Sequence, residues 1–204
     1  MTRFSRRKAL FGAALLAAGG FVAPASAYTS SWPAKPAVPT DFNAEELFCE
    51  LGKNGRGVTW KGPKDADDLI VVHMVFDPQC SWCLWQMNQY APFRDRVRFV
   101  WHPVAVLSRW SAPQGAAILS SKDPEATLAE HEAHFRDAAF RGLDVRKMQL
   151  PDEAIDAVWT NSKIYRRAGG RDVPFGVARL PDGRYVSLPE EKGEAFAEAL
   201  GLKL

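Results

Sequence analysis

The sequence predicts an α/β domain with two central strands and a long helical insert. Residues 69–76 form a continuous apolar run of strand length, rich in valine, as expected for a strand buried on both faces. Residues 97–104 form a second central strand, and the helix-length segment 82–93 between the two fits a right-handed crossover. From about residue 111 to residue 170, apolar residues recur at helical spacing, which predicts the insert.

Four further elements are predicted around this centre: a helix ending at residue 51, a strand at 58–60, a hairpin over 175–188 and a helix over 190–200. Thr40 or Asp41 is expected to cap the first helix, because both side chains can accept a hydrogen bond from a free helical N–H group. Asp182-Gly183 is the turn signal of the hairpin. Inside the insert, we expect Ala139 and Trp159 to lie on buried apolar stripes.

The first 27 residues are predicted to be an export signal. A head of four basic residues precedes a moderately apolar stretch, and Ala25-Ser26-Ala27 supplies the small residues of a cleavage site. The head resembles a twin-arginine signal because it contains Arg6-Arg7; the general secretory route and an uncleaved membrane anchor are the alternatives. Residues 28–57 are then a proline-containing linker followed by the short first helix, and the α/β domain covers residues 58–204.

The charge of the chain argues against nucleic acid as a partner. Lys and Arg number 26 and Asp and Glu 24, but the predicted signal holds four of the basic residues and none of the acidic ones. Removing it leaves 22 basic against 24 acidic residues, with no basic stripe and no recognisable nucleic-acid motif. Hydrophobic residues make up 47% of the chain, which is ordinary for a globular protein.

Cys80-Ser81-Trp82-Cys83 carries the chemistry that the sequence predicts. The motif directly follows the first central strand and opens the next helix, where free N–H groups and the helix dipole favour a thiolate. We therefore expect Cys80 to be an exposed nucleophile with a lowered pKa. Cys83, one turn later, lies deeper and resolves the mixed disulfide that Cys80 forms with a client protein.

Two other roles compete with thiol-disulfide exchange for the cysteine pair. A stapling disulfide across two intervening residues would constrain little of the unfolded chain. A metal site would need two more ligands, and His131 with His134 has suitable helical spacing. Those histidines lie among charged residues, however, which indicates a solvated helix face. Haem attachment is excluded because Leu84, not histidine, follows Cys83.

The segment 76–83, Phe-Asp-Pro-Gln-Cys-Ser-Trp-Cys, resembles the active-site segment of the periplasmic disulfide isomerases DsbC and DsbG. Residues 111–124 resemble the opening of the helical insert of DsbG more specifically, and the likeness extends over about residues 58–204. The resemblance implies a thioredoxin-like fold whose helical insert separates a CxxC half from a cis-proline half. It also implies thiol-disulfide exchange with cysteine-containing client proteins, no bound cofactor, no metal, and a membrane thiol reductant of the DsbD type.

In thioredoxin-like folds a cis-proline loop faces the CxxC motif, and the residue before the proline pairs its backbone with the client. Val173-Pro174 lies where that loop belongs, just before the predicted hairpin. An ordinary trans-proline turn is the alternative. Trp82 would add an apolar client surface beside the cysteines. These residues complete the predicted site.

Three departures from the family pattern leave the direction of exchange and the oligomeric state open. The segment between Ala27 and Val58 is too short for the dimerisation domain of those isomerases, so a monomer is favoured. Val173 replaces the threonine of the isomerases, as in the oxidant DsbA. The Ser-Trp dipeptide inside the motif is unusual in both families. We favour reduction or isomerisation, with oxidation as the alternative.

Three residues outside the motif have weaker signals. Cys49 neighbours Phe48 on an apolar helix face, so a buried and inert thiol is favoured over an intermolecular link. Met74 occupies the position of the buried aspartate of thioredoxins, which leaves proton transfer from Cys83 to water or another group. His73 should point to the opposite sheet face and be structural.

Overall fold

A computed structural model describes residues 38–62, 69–189 and 191–203; the predicted export signal and most of the predicted linker lie outside them. Its centre is a sheet with five strands: β1 (Val58–Thr59), β2 (Ile70–Phe76), β3 (Val97–Pro103), β4 (Phe175–Arg179) and β5 (Tyr185–Pro189). The strand order is β1-β3-β2-β4-β5. Only β2 and β3 pair in parallel, and the other neighbours are antiparallel. The predicted crossover is therefore confirmed.

Strand β2 lies in the middle of the sheet and is buried on both faces, as predicted. Val72, Met74 and Phe76 pack into one hydrophobic cluster, whereas Val75 packs into a second. Successive side chains of a strand point to opposite faces, so a run without polar alternation requires cover on each side. Five residues of β2, from Val72 onward, are buried.

Six helices supply that cover: α1 (Ala44–Asn54), α2 (Ser81–Tyr90), α3 (Ser111–Ser120), α4 (Pro124–Ala133), α5 (Asp152–Arg167) and α6 (Gly193–Ala199). A short 3-10 turn, Ala91–Phe93, continues α2. Helix α6 begins three residues later than the predicted start at residue 190. Among the residues that the structure describes, no helix has both the length and the apolar character needed to cross a membrane.

Helix α1 differs from its prediction in its cap and in its role. Asn43, not Thr40 or Asp41, caps it, since the Asn43 side chain accepts a hydrogen bond from the N–H group of Glu46 at 3.0 Å. Leu47 and Leu51 are buried against β4 and α5. The folded domain therefore extends before residue 58 and includes this helix.

The predicted burial of Cys49 is wrong: its side chain is exposed. Residues two positions apart in an α-helix are separated by about 200° around its axis. Because Leu47 and Leu51 define the buried face of α1, Cys49 points away from the core. Its sulfur lies 3.8 Å from the hydroxyl oxygen of Tyr185.

The helical insert is confirmed, with differences in which residues it buries. Ala139 is exposed, because α4 ends at Ala133 and the chain then runs through turns and loops up to α5. Trp159 is 45% exposed, because the buried face of α5 follows Ala154 and Val158 instead. The stripe predicted through Trp159 was therefore misplaced by one position around the helix.

Candidate active site

Cys80 lies at the junction of β2 and α2, where it is the N-cap residue of the helix. Its backbone N–H donates to the carbonyl oxygen of Asp77 at 2.9 Å and closes a tight turn after the strand. Its sulfur accepts a hydrogen bond from the backbone N–H of Cys83 at 3.2 Å. The first amides of a helix lack partners within the helix, so a side chain at the cap satisfies one of them. Here that side chain is a nucleophilic thiol.

The pKa values of the two cysteines shift in opposite directions. A hydrogen bond from the Cys83 thiol lowers the pKa of Cys80, and the backbone N–H groups of Cys83 and Trp82 act in the same direction. Burial and the charge of Asp77 oppose the shift without cancelling it. Burial, followed by the interaction with Cys80, raises the pKa of Cys83 well above its ordinary value. The reduced pair therefore ionises first at Cys80 and keeps its proton on Cys83.

The expectation that Cys80 is exposed is wrong. Its side chain keeps 5% of its accessible surface, and Cys83 keeps none. The loop at Val173 covers the Cys80 sulfur, whose thiol donates to the Val173 carbonyl oxygen at 3.5 Å. The next two residues along α2, Ser81 and Trp82, are exposed, Trp82 by 40%.

The peptide bond between Val173 and Pro174 is cis, as predicted, and its loop faces Cys80. The alternative of an ordinary trans turn is wrong. Strand β4 starts directly after Pro174 and pairs Phe175 with Val75 near the end of β2. This register brings the proline loop beside the turn that carries the cysteines. Pro174 is buried, whereas the side chain of Val173 is partly exposed.

Asp77 holds the surroundings of the cysteine pair together, a role that the sequence analysis missed. The residue is fully buried. Its carboxylate accepts four hydrogen bonds, from the N–H groups of Gln79, Val106 and Leu107 and from the Ser111 hydroxyl, at 2.6 to 2.9 Å. In the sequence, Asp77-Pro78 reads only as the end of a strand. Apart from the nearby Gln79, the donors come from the loop after β3 and from the start of α3, which local patterns do not connect to Asp77.

His131 is fully buried, so its assignment to a solvated helix face is wrong. Its Nε2 lies 2.7 Å from the Pro78 carbonyl oxygen, and its Nδ1 accepts from the N–H of Leu143 at 3.2 Å. Burial lowers its pKa. The spacing of His131 from the buried Leu128 places both on one helix face, which is the signal that could have revealed it.

The metal alternative loses its two candidate ligands. Both ring nitrogens of His131 already engage backbone groups, and His134 is exposed and pairs with Asp137 at 2.7 Å. Within the described ranges, no group of three or more His, Cys, Asp or Glu side chains is arranged to hold a metal ion.

His73 points to the sheet face opposite Met74, as predicted, and forms a buried pair with His102. The Nδ1 of His73 and the Nε2 of His102 are 2.9 Å apart, and the Nδ1 of His102 lies 3.2 Å from the Arg56 carbonyl oxygen. Burial lowers the pKa of His73 to about 4 and that of His102 to about 3. Both rings are therefore neutral near pH 7 and tie β2 to β3.

A groove of about 920 Å³ opens beside the cysteine motif, between α2 and the segment 132–141. Ser81 and Trp85 line its α2 side. Phe135 and Phe140 add apolar surface from the insert, and Glu132 lines the same side. Burial raises the pKa of Glu132 to about 7. The groove therefore lies directly beside the cysteine motif.

Known proteins resemble this chain in sequence and in structure. No family model matches the chain. The thiol:disulfide interchange protein DsbG of Pseudomonas aeruginosa is 31% identical over 151 residues, which are 68% of this chain and 57% of DsbG. The chain is similar to DsbG in sequence. The resemblance predicted from residues 76–83 and 111–124 is confirmed, although the chain spans only 57% of the length of this relative.

Solved structures agree on the architecture. A periplasmic thioredoxin-like protein from Salmonella enterica serovar Typhimurium matches with a TM-score of 0.60 at 12% identity, covering 81% of this chain and 97% of that one. The catalytic domain of Proteus mirabilis ScsC matches with a TM-score of 0.58 at 20% identity, covering 78% and 96% of the two chains. The predicted thioredoxin-like fold is therefore confirmed.

Proposed function

We propose that the protein is a thiol-disulfide oxidoreductase that exchanges disulfides with cysteine-containing client proteins through Cys80 and Cys83. The observation that carries this proposal is the Cys80 sulfur at the N-terminus of α2, which accepts a hydrogen bond from the Cys83 N–H at 3.2 Å while Cys83 itself is fully buried. This arrangement lowers the pKa of Cys80 and raises that of Cys83. A low-pKa thiol supplies the nucleophile, and a neighbouring thiol that keeps its proton waits to resolve the intermediate. The relationship to DsbG supports the same activity. No bound cofactor is needed, because the two sulfurs carry the electrons.

The exchange runs in two steps. The Cys80 thiolate attacks one sulfur of a client disulfide, so that a Cys80–client bond forms and the other client sulfur leaves as a thiolate. Cys83 then loses its proton to a departing client sulfur and attacks the sulfur of Cys80. This attack breaks the mixed disulfide and releases the second client sulfur. The client disulfide is reduced to two thiols, and the pair is oxidised to an intramolecular disulfide.

Val173, Pro174 and Trp82 are proposed to bind the client. In the reduced protein the Cys80 thiol donates to the Val173 carbonyl oxygen. A mixed disulfide has no S–H group, so this oxygen becomes free to accept an N–H group of the client backbone, as in strand addition. Pro174 fixes the loop beside the sulfur, and exposed Trp82 adds apolar contact area.

Reduction or isomerisation is the favoured direction, supported by the relationship to DsbG. That direction requires a membrane thiol reductant of the DsbD type to return electrons to the pair. Val173 before the cis-proline supports oxidation as a second candidate. The equilibrium potential of the Cys80/Cys83 pair against glutathione separates the two, because a more oxidising potential favours a DsbA-like role.

We place the protein in the periplasm, exported by a twin-arginine signal, and favour a monomer. The relationship to DsbG and the positive head and small-residue cleavage pattern of residues 1–27 support export. These residues lie outside the described part of the structure. Sequencing the N-terminus of the exported protein tests cleavage after Ala27.

Insulin reduction, run beside metal analysis of the purified protein, tests the activity. An oxidoreductase accelerates insulin reduction by dithiothreitol and purifies without stoichiometric metal. A binding module that holds copper or zinc at the cysteines, or a chaperone, fails to accelerate the reaction. Such a failure would overturn the proposal.

Replacing Cys83 with serine should trap the first intermediate. Cys80 keeps its attacking role in the Cys83→Ser protein, but no thiol remains to release the client, so a mixed disulfide accumulates. Non-reducing electrophoresis with oxidised insulin shows this adduct, which dithiothreitol removes. Both this protein and its parent carry Cys49→Ala, so that the exposed third thiol contributes no adduct. A Cys83→Ser protein that accumulates no adduct would contradict the two-step scheme, in which Cys80 attacks and Cys83 is needed for release.

A further inference from the structure

The turn before Cys80 is tied to the helical insert at three consecutive residues. The Asp77 carboxylate accepts from the Ser111 hydroxyl at 2.6 Å. The Gln79 side-chain amide donates to the side-chain oxygen of Gln114 at 2.6 Å. Between them, the Pro78 carbonyl oxygen receives its bond from a histidine of α4, His131, at 2.7 Å. The insert thus fixes the backbone that places the nucleophile.

The hydrogen-bond partners of His131 define its chemical form. The Leu143 N–H can only donate, so Nδ1 must present a lone pair to it. The Pro78 carbonyl oxygen can only accept, so Nε2 must carry the proton. The geometry therefore requires a neutral ring protonated at Nε2. Both hydrogen bonds are buried, and the donor and acceptor roles of the two ring nitrogens cannot be swapped.

The far side of His131 rests on a fixed loop. Gln114 donates to the carbonyl oxygens of Arg141 and Leu143 at 2.7 and 2.9 Å. Gly142 between them has a φ of +73°, and a Cβ atom there would collide with the His131 ring. The ring consequently has little room to move. The ring therefore holds the Pro78 carbonyl at a fixed position relative to the insert.

We infer that His131 is a positioning residue for Cys80, acting through the Pro78 carbonyl. This inference rests on the proposed function. The hydrogen bond from the Cys83 N–H to the Cys80 sulfur depends on where the turn places Cys80. Without the bond to Pro78, the turn relaxes and its buried carbonyl loses its partner. The Cys80 thiolate then loses part of its stabilisation and becomes less available at neutral pH.

Two amide substitutions separate the two bonds of the ring. In His131→Gln the side-chain amide reaches the region of Nε2 and can donate to Pro78. In His131→Asn the shorter side chain can accept from Leu143, near the position of Nδ1, but does not reach Pro78. Leu128→Ala controls for general weakening of the insert, because Leu128 is buried on the same helix without taking part in these bonds. All proteins carry Cys49→Ala.

The readout is the rate of Cys80 alkylation by iodoacetamide at pH 7, measured on the reduced, folded proteins. We expect His131→Asn to be about threefold slower than the parent, because a displaced turn weakens the hydrogen bond from the Cys83 N–H to the sulfur and leaves less Cys80 thiolate. His131→Gln and Leu128→Ala should stay near the parent rate. Equal rates in the Asn and Gln proteins, whether fast or slow, would overturn the inference.

The parent protein separates failure of this inference from failure of the proposed function. A parent whose Cys80 reacts no faster than free cysteine contradicts the proposed function itself. A fast parent with equally fast Asn and Gln variants contradicts only the role of His131. The midpoint of the alkylation rate against pH supplies a second readout, and it should rise in His131→Asn alone.

Discussion

Replacing Cys80 with serine abolishes the acceleration of insulin reduction, with a loss of about a thousandfold or more. A serine hydroxyl is far less acidic than a thiol. The hydrogen bonds that lower the pKa of Cys80 therefore cannot bring a serine at this position to ionise near neutral pH. A serine at this position also cannot form the disulfide with Cys83. Both steps of the exchange are therefore lost, which makes this the largest effect expected on activity.

The matched control is Cys49→Ser, which removes an exposed thiol on α1 by the same chemical change. It should leave insulin reduction unchanged. Far-UV circular dichroism and a urea titration of both variants show whether each is folded. A folded Cys80→Ser protein that keeps the parent rate would contradict the assignment of Cys80 as nucleophile.

Replacing Asp77 with alanine produces the largest expected loss of stability, about 3 kcal/mol or more in the free energy of unfolding. The substitution leaves four donors without their acceptor: three backbone N–H groups and the Ser111 hydroxyl. A buried donor without a partner costs about 1–3 kcal/mol, and Asp77 is fully buried, so water replaces the carboxylate poorly. The measurement is urea unfolding of the reduced protein followed by fluorescence.

Asp144→Ala is the control for this loss. Asp144 also accepts from a backbone N–H and pairs with Arg146, but the side chains of that pair are half exposed. Water can replace the contacts of such a surface pair, so its removal should change stability far less. Equal stability losses in the two alanine variants would show that the buried hydrogen bonds of Asp77 contribute little to the fold.

Local patterns predicted well those elements whose burial or turn can be read from their own residues. The apolar run of β2 requires cover on both faces, and the Asp-Gly turn before β5 leaves one hairpin register. The position of Cys80 at a helix start also followed from the sequence. The same reasoning gave a lowered pKa for Cys80, and the structure agrees in direction, because the Cys83 thiol and then the backbone N–H groups of Cys83 and Trp82 donate to the sulfur.

The surroundings of the cysteines were not predictable in the same way. Asp77 and His131 have polar side chains whose main partners lie elsewhere along the chain, and only the spacing of His131 from Leu128 within α4 indicates burial. Charged neighbours made His131 look like part of a solvated face. The low exposure of Cys80 depends on the Val173 loop, which arrives from the other end of the insert. Such tertiary contacts set the site after the elements have formed.

Alkylation of the reduced Cys49→Ala protein as a function of pH tests the central claim most directly. Peptide mapping identifies which sulfur has reacted, and the rate against pH gives the pKa of that thiol. The account predicts that Cys80 alone is modified, with a midpoint below the value of about 8.5 for free cysteine, because a lowered pKa keeps the thiolate present at lower pH. Modification of Cys83 in preference to Cys80, or a Cys80 midpoint at or above that of free cysteine, would contradict it.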